Sequence, residues 1–135
     1  MINYGFTKQL DMDFDTAVAL VKEHLQNAGF GILMSIDLQE KFREKLGIDF
    51  TRYVILGACD PMNACKAILC EENIGLLLPC NVIIYETESG TTVGVIRPTV
   101  AMQMVDNLDL QRIARDVERR LKAVIEALQP AEVAV

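Results

Sequence analysis

The sequence has no long hydrophobic run, and it is short of positive charge. No apolar stretch reaches the roughly 18 residues that a membrane span requires, and the first ten residues have neither the basic start nor the apolar core of a secretory signal. We therefore expect no membrane partner and a cytoplasmic location. With 13 Lys and Arg against 19 Asp and Glu, the net charge is -6, which argues against nucleic acid as a partner because phosphate backbones are repelled.

The local motifs that reveal many enzymes are missing as well. The chain contains no Walker A phosphate loop, no dinucleotide-binding glycine motif, no nucleophile elbow and no H-E-x-x-H zinc motif. It has a single histidine and no C-x-x-C pair, and its cysteine spacings match no zinc signature. A structural zinc therefore lacks support. Whether the protein is an enzyme stays open at this stage, and its cofactors are unknown.

The patterns that are present predict a single α+β domain over residues 1–135. Alternating apolar residues predict strands at 3–10 and 30–36. Residues 53–59 are apolar on both faces, which predicts a central strand, and residues 91–97 form the return strand after the turn at 87–90. Helical spacing of apolar residues predicts helices at 14–28 and 109–128. Capping residues predict two shorter helices, one that Asp37 caps and that ends near Leu46, and one over about 61–71 after the pair Asp60-Pro61. The apolar run 74–86 is interpreted as one bent strand, with segments 74–78 and 81–86 joined by a kink at Pro79.

These elements predict a curved, mainly antiparallel sheet packed against helices. A hairpin turn at 87–90 forces at least one antiparallel pair. The long amphipathic C-terminal helix must bury its stripe of Leu, Ile and Val, and a sheet face is available for it. Residues 129–135 are expected to form a frayed tail.

Three of the four cysteines fall between residues 59 and 70, which suggests a cluster. Two of them, Cys65 and Cys70, lie on the helix predicted over 61–71, where they point about 140° apart and cannot hold one ion from the same face. Both are interpreted as small core hydrophobes. Cys65 is expected to share a buried helix face with Ile68 and Leu69.

Cys59 stands apart because it ends a strand directly before Asp60-Pro61, a pair typical of an N-cap and a first-turn proline. The positive end of the helix dipole stabilises a thiolate, so the pKa of Cys59 is expected to be lowered. Cys80 follows a proline in the second apolar run. If the two strands are neighbours, Cys59 and Cys80 meet at one rim of the sheet; otherwise they are unrelated buried thiols.

Two polar residues beside these cysteines complete the candidate ligand-binding set. Asp60 is a carboxylate next to Cys59, although capping of the helix is its simpler interpretation. Asn81 follows Cys80, and its amide either binds a ligand or satisfies backbone groups freed by Pro79. Cys59 and Cys80 are also the candidate metal ligands.

These residues lead to three hypotheses about function. The first is a non-enzymatic binding or sensory module that holds a small ligand or a soft metal at a rim containing Cys59 and Cys80; thiolates suit Cu(I) or Zn(II), and a two-ligand site suits Cu(I) better. The second is a thiol-dependent redox enzyme, with Cys59 as nucleophile and Cys80 as resolving thiol. The third is a structural homodimer joined through an open sheet edge or the Met-rich segment 100–105.

The stretches "ILGACDPMNACKAI" and "IGLLLPCNVIIYE" resemble the bacterial and archaeal family known as domain of unknown function 302. The segments "YGF" and "EKLGIDF" fit the same pattern, and the likeness runs from about residue 3 to residue 128. The resemblance implies a compact α+β domain with an antiparallel sheet, often dimeric, and no established activity or cofactor. The positions that match the family pattern are Gly57, Ala58, Cys59, Pro61, Leu78, Pro79, Cys80 and Asn81.

Overall fold

The computed structural model describes residues 2–129, in which strands and helices alternate before a strand pair and a long final helix. The strands are β1 (Gly5–Leu10), β2 (Gly31–Asp37), β3 (Tyr53–Cys59), β4 (Cys80–Thr87) and β5 (Gly90–Ile96). The helices are α1 (Phe14–Asn27), α2 (Leu38–Leu46), α3 (Pro61–Cys70), α4 (Pro98–Ala101) and α5 (Leu108–Ala127), with a 3₁₀ helix at Glu72–Leu77. The predicted frayed tail over 129–135 falls almost wholly outside the described residues.

The five strands form one open sheet in the order β1-β5-β4-β3-β2, and every pairing is antiparallel. The α+β class and the antiparallel sheet predicted from the sequence are therefore confirmed. The β4–β5 hairpin closes where Thr87 lies opposite Gly90. Gly90 has a φ of 140°, and a Cβ there would lie 2.4 Å from the carbonyl oxygen of Leu10. This position therefore requires glycine, both for its conformation and for the close approach of β1.

Helices α1 and α5 pack on one face of the sheet and enclose the main core. The inward positions of β3 and β4 alternate along each strand, as a half-covered sheet requires. The fully buried side chains of this core include Leu10, Val21, Leu25, Leu56, Val82, Ile84, Val93 and Leu121. Burial of each such side chain contributes about 1.5–3 kcal/mol. Among residues 2–129, none of the helices combines the length and apolar character that crossing a membrane would take.

Polar side chains define where three of the helices begin. The carboxylate of Asp13 accepts a hydrogen bond from the backbone N–H of Thr16 at 3.1 Å, and α1 starts there. Asp37 does the same for α2, and the Asn107 side chain does so for α5. Each cap satisfies a backbone donor that the first helical turn leaves free.

The prediction of a strand over 74–78 is wrong. This segment belongs to the 3₁₀ helix, and β4 begins only at Cys80, after a cis peptide between Leu78 and Pro79. Ile74 is buried in a second apolar cluster with Met102 on the helical side of the domain, whereas Leu76 is 88% exposed. Residues 74–78 therefore lie in a short helical segment that is buried on one side only, and their apolar composition resembles that of a buried strand.

Candidate functional site

The candidate residues lie at one end of the sheet, where β3 ends and β4 begins. In the β3–β4 ladder, Ala58 lies opposite Cys80 and Gly57 lies opposite Asn81. The two strands are thus neighbours, which is the condition on which the pairing of Cys59 with Cys80 depended. Cys59 is the last residue of β3, and Asp60 leads directly into α3.

Cys59, Asp60 and Cys80 all border one cavity between the end of the sheet, α3 and α5. The remaining wall is largely apolar and includes Phe30, Ala67, Leu78, Pro79, Met102, Ile113 and Val117. The space measures about 30 Å³, which is enough for one water-sized occupant. A space of this size accommodates a monatomic ion.

Both thiols beside the cavity are protonated at neutral pH. Burial raises the pKa of Cys59, and the neighbouring Asp60 carboxylate raises it further. Burial raises the pKa of Cys80 to about 11, with an added contribution from Cys59. The expectation that a helix N-terminus lowers the pKa of Cys59 is therefore wrong, because burial and the Asp60 carboxylate both disfavour the thiolate.

Asp60 occupies the N-cap position of α3, but its carboxylate does not cap the helix. Its Oδ2 instead accepts hydrogen bonds from Asn63 Nδ2 at 2.7 Å and from the guanidinium of Arg120. Burial raises the pKa of Asp60, and the bond and charge of Arg120 more than reverse this effect, so the net pKa lies below its usual value. The capping interpretation is wrong, because a cation from α5 takes the carboxylate.

Arg120 is the site residue that the sequence reasoning missed. Besides binding Asp60, it donates from Nη2 to the carbonyl of Ala28 at 2.6 Å and lies over the ring of Phe30 at 4.8 Å. It thereby joins the end of α1, the β3–α3 turn and α5. A signal was present in the spacing, because Arg120 follows Ile113 and Val117 at helical intervals along the apolar stripe. A charge on such a stripe needs a partner.

Residues 6–128 match the model of the family described as domain of unknown function DUF302. The chain belongs to the DUF302 family. A solved structure, an uncharacterized conserved DUF302 protein from Bacillus stearothermophilus, is 31% identical with a TM-score of 0.85, over 93% of this chain and 98% of that one. Curated proteins give no match. The family relation supports the fold and names no ligand or activity.

In this DUF302 domain, Asn81 is exposed and does not reach the cavity. It lines an adjacent open groove of about 370 Å³, together with Met34, Leu76, Leu77, Ile96 and Ala101. Cys80 and Met102 border both spaces. The structure therefore brings three of the four candidate residues to one cavity and places the fourth just outside it.

The two α3 cysteines of the DUF302 domain lie outside the site. Cys65 is exposed, and Leu69, which was expected to be buried with it, is 82% exposed. The prediction of a core position for Cys65 is wrong, because α3 turns Ala67 inward and its larger apolar residues outward. Cys70 is half-buried, and its thiol donates to the carbonyl of Ala67 at 3.3 Å.

Proposed function

We propose that this DUF302 domain is a non-enzymatic binding module that holds one soft metal ion between Cys59 and Cys80. The observation that carries the proposal is that two cysteines far apart in sequence border one small cavity. Its size suits a single ion better than the small organic ligand that the sequence left open. Thiolates favour Cu(I) or Zn(II), and Cu(I) accepts the lower number of ligands.

The surroundings of the cavity suit the charge of such a complex. Cu(I) would displace one proton from each thiol, so two protons leave and the two thiolates with Cu(I) carry a net charge of -1. The N-terminus of α3 begins directly after Cys59 and Asp60, and its partial positive charge favours a nearby anion. Arg120 pairs with Asp60 and offsets part of the repulsion that this carboxylate exerts on a thiolate at Cys59. A reducing compartment such as the cytosol would keep both thiols available.

The alternative of a thiol-dependent enzyme has less support. A nucleophilic cysteine reacts as the thiolate, and reactive cysteines have a lowered pKa. The pKa of Cys59 is raised by burial and by Asp60. A metal ion overcomes this obstacle because it displaces the thiol proton itself, whereas a substrate carbon or sulfur does not.

The homodimer remains a prediction that the structure of one chain does not test. Strands β1 and β2 form the two edges of the open sheet, and an edge is a surface that dimerisation can cover. In the Met-rich segment 100–105, Met104 is 79% exposed and available to a partner. Sedimentation velocity over a range of concentrations should show a dimer; a monomer throughout would contradict this prediction.

An anaerobic competition titration against a chromogenic Cu(I) chelator tests the metal proposal. We expect the wild-type protein to bind one Cu(I) per chain with a Kd below micromolar. Cys59→Ser and Cys80→Ser should each weaken binding by about 100-fold or more, since each removes a ligand of the metal itself. Cys65→Ser is the matched control, because it removes an exposed thiol of the adjacent helix and should bind as wild type.

Two results of this titration would contradict the proposal. One is the absence of Cu(I) binding by the wild-type protein at micromolar concentration. The other is an equal loss of affinity in Cys65→Ser and in the two cavity variants. Circular dichroism of each variant shows whether it is folded, so that a lost site is distinguished from a lost structure.

A further inference from the structure

Building on the proposed function, we infer that the thioether of Met102 is a third ligand of the ion and makes the cavity a three-sulfur Cu(I) site. Met102 is 5% exposed and borders the same cavity as Cys59 and Cys80. Within residues 2–129, no three His, Cys, Asp or Glu side chains are grouped to hold a metal. The Met102 sulfur is thus the further soft donor that the cavity offers.

The fold holds Met102 in place by its backbone. Its N–H donates to the carbonyl of Pro98 at 2.9 Å, and its carbonyl accepts from Gln111 Nε2 at 2.8 Å. These bonds attach the residue to the start of α4 and to α5. The side chain itself keeps three rotatable bonds, so its rotamer can adjust to an ion while the backbone stays in place.

A thioether suits this cavity because it donates electrons without adding charge. A third thiolate would give a complex of charge -2 in a largely apolar space, where each added charge is costly. With Met102 the complex keeps a charge of -1. Thioether sulfur also favours Cu(I) over Zn(II), which prefers thiolate, imidazole and carboxylate ligands. Met102 would therefore contribute selectivity for Cu(I) as well as affinity.

The position of Met102 also gives the ion a path to the site. Met102 and Cys80 border both the small cavity and the open groove of about 370 Å³. An ion in the groove would therefore lie beside residues that also border the cavity.

The substitution Met102→Leu tests the inference, since leucine keeps a similar apolar volume and removes the sulfur. We expect the Kd for Cu(I) to rise by about tenfold or more and the Kd for Zn(II) to change by less than about twofold, since a thioether favours Cu(I). Met104→Leu is the matched control, because Met104 lies two positions away and is 79% exposed. It should leave both Kd values unchanged.

The possible outcomes separate this inference from the proposed function. If Met102→Leu binds Cu(I) as wild type while Cys59→Ser does not, Met102 is not a ligand and the two-cysteine site stands. If wild type binds no Cu(I), both ideas fail. An equal loss of Cu(I) and Zn(II) affinity in Met102→Leu would show a packing role and would also overturn the inference.

X-ray absorption at the copper edge gives a direct readout of the third ligand. In protein prepared with selenomethionine, we expect copper–selenium scattering in wild type and in Met104→Leu. The selenium signal should vanish in Met102→Leu. A copper spectrum with sulfur scattering alone in wild type, or a selenium signal that persists in Met102→Leu, would contradict the assignment.

Discussion

Cys59 and Cys80 lie at the adjoining ends of two paired strands, whereas Cys65 and Cys70 lie on a single helix. Cys59 and Cys80 border one cavity, and burial raises the pKa of both thiols. Of the two helix cysteines, Cys65 is exposed, and the thiol of Cys70 donates a hydrogen bond to a carbonyl of its own helix. Strand pairing, not nearness in sequence, therefore brings together the thiols that could share an ion.

The reactivity of the four thiols should separate the two pairs most strongly. At pH 7 a thiol with a pKa of about 11 is thiolate in only about one part in ten thousand, against a few per cent for a free cysteine. We expect iodoacetamide to modify exposed Cys65 first and Cys80 about 100-fold or more slowly. Peptide mass mapping over time measures the order.

The pH dependence of alkylation sharpens the same contrast. Because the pKa values of Cys59 and Cys80 are raised, their thiolate fractions stay small at neutral pH and keep rising with pH beyond 9. Their alkylation should therefore accelerate above pH 9 in the folded protein. Modification of Cys59 at pH 7 as fast as that of Cys65 would remove the distinction between the pairs.

The stability of the turn that carries Cys59 gives a second test. Arg120→Ala leaves Asp60 as a largely buried carboxylate without its cation, and we expect a loss of about 3 kcal/mol in the free energy of unfolding. Arg120 and Asp60 are 28% and 12% exposed, whereas Arg119 and Asp116 are 74% and 43% exposed. Arg119→Ala is therefore the control, with an expected loss below about 1 kcal/mol.

Urea denaturation of both arginine variants measures this difference. Arg120→Ala should be destabilised much more than Arg119→Ala, because it loses the pair with Asp60, the bond to the Ala28 carbonyl and the contact with Phe30. Equal stability of Arg120→Ala and Arg119→Ala would show that the Asp60 pair is no tighter than a surface pair. Arg120 would then contribute little to holding Asp60 in the cavity wall.

Serine substitutions give the smallest expected difference between the pairs. Cys80→Ser places a hydroxyl at a site that is 8% exposed and should cost about 1–2 kcal/mol of unfolding free energy. Cys65→Ser changes an exposed side chain and should stay within about 0.5 kcal/mol of wild type. Thermal denaturation measures both, and an equal cost for the two variants would place both thiols in similar surroundings.

Much of the fold could be predicted because its elements have a clear hydrophobic period. The buried stripes of α1, from Phe14 to Leu25, and of α5, from Leu110 to Leu121, are such cases. The segment 74–78 and the orientation of α3 could not be predicted in this way. In both segments large apolar side chains face solvent, as Leu76 and Leu69 do. Composition alone does not tell which of the apolar side chains face the core.

The candidate site could be predicted only in part. The positions of Cys59 at a strand end and of Cys80 at the kink after Pro79 were visible, and their shared rim followed once the strands were known to pair. The cavity is completed by α4 and α5, which come much later in the chain, so Met102 could not be assigned to it from local patterns. The helical spacing marks Arg120 as a charge that needs a partner, but only the packed structure identifies Asp60 as that partner. The prediction of a lowered pKa for Cys59 was wrong for the same reason, since burial is a property of the packed domain.

The most direct test of the central claim is protection of thiols by one equivalent of Cu(I). Native mass spectrometry first measures the mass of the Cu(I)-loaded protein. Its thiols are then alkylated at high pH, and peptide mass mapping identifies the modified cysteines. We expect one copper per chain, with Cys59 and Cys80 protected relative to the metal-free protein and Cys65 and Cys70 modified equally in both. Protection of Cys65 or Cys70, or no protection of Cys59 and Cys80, would contradict the account.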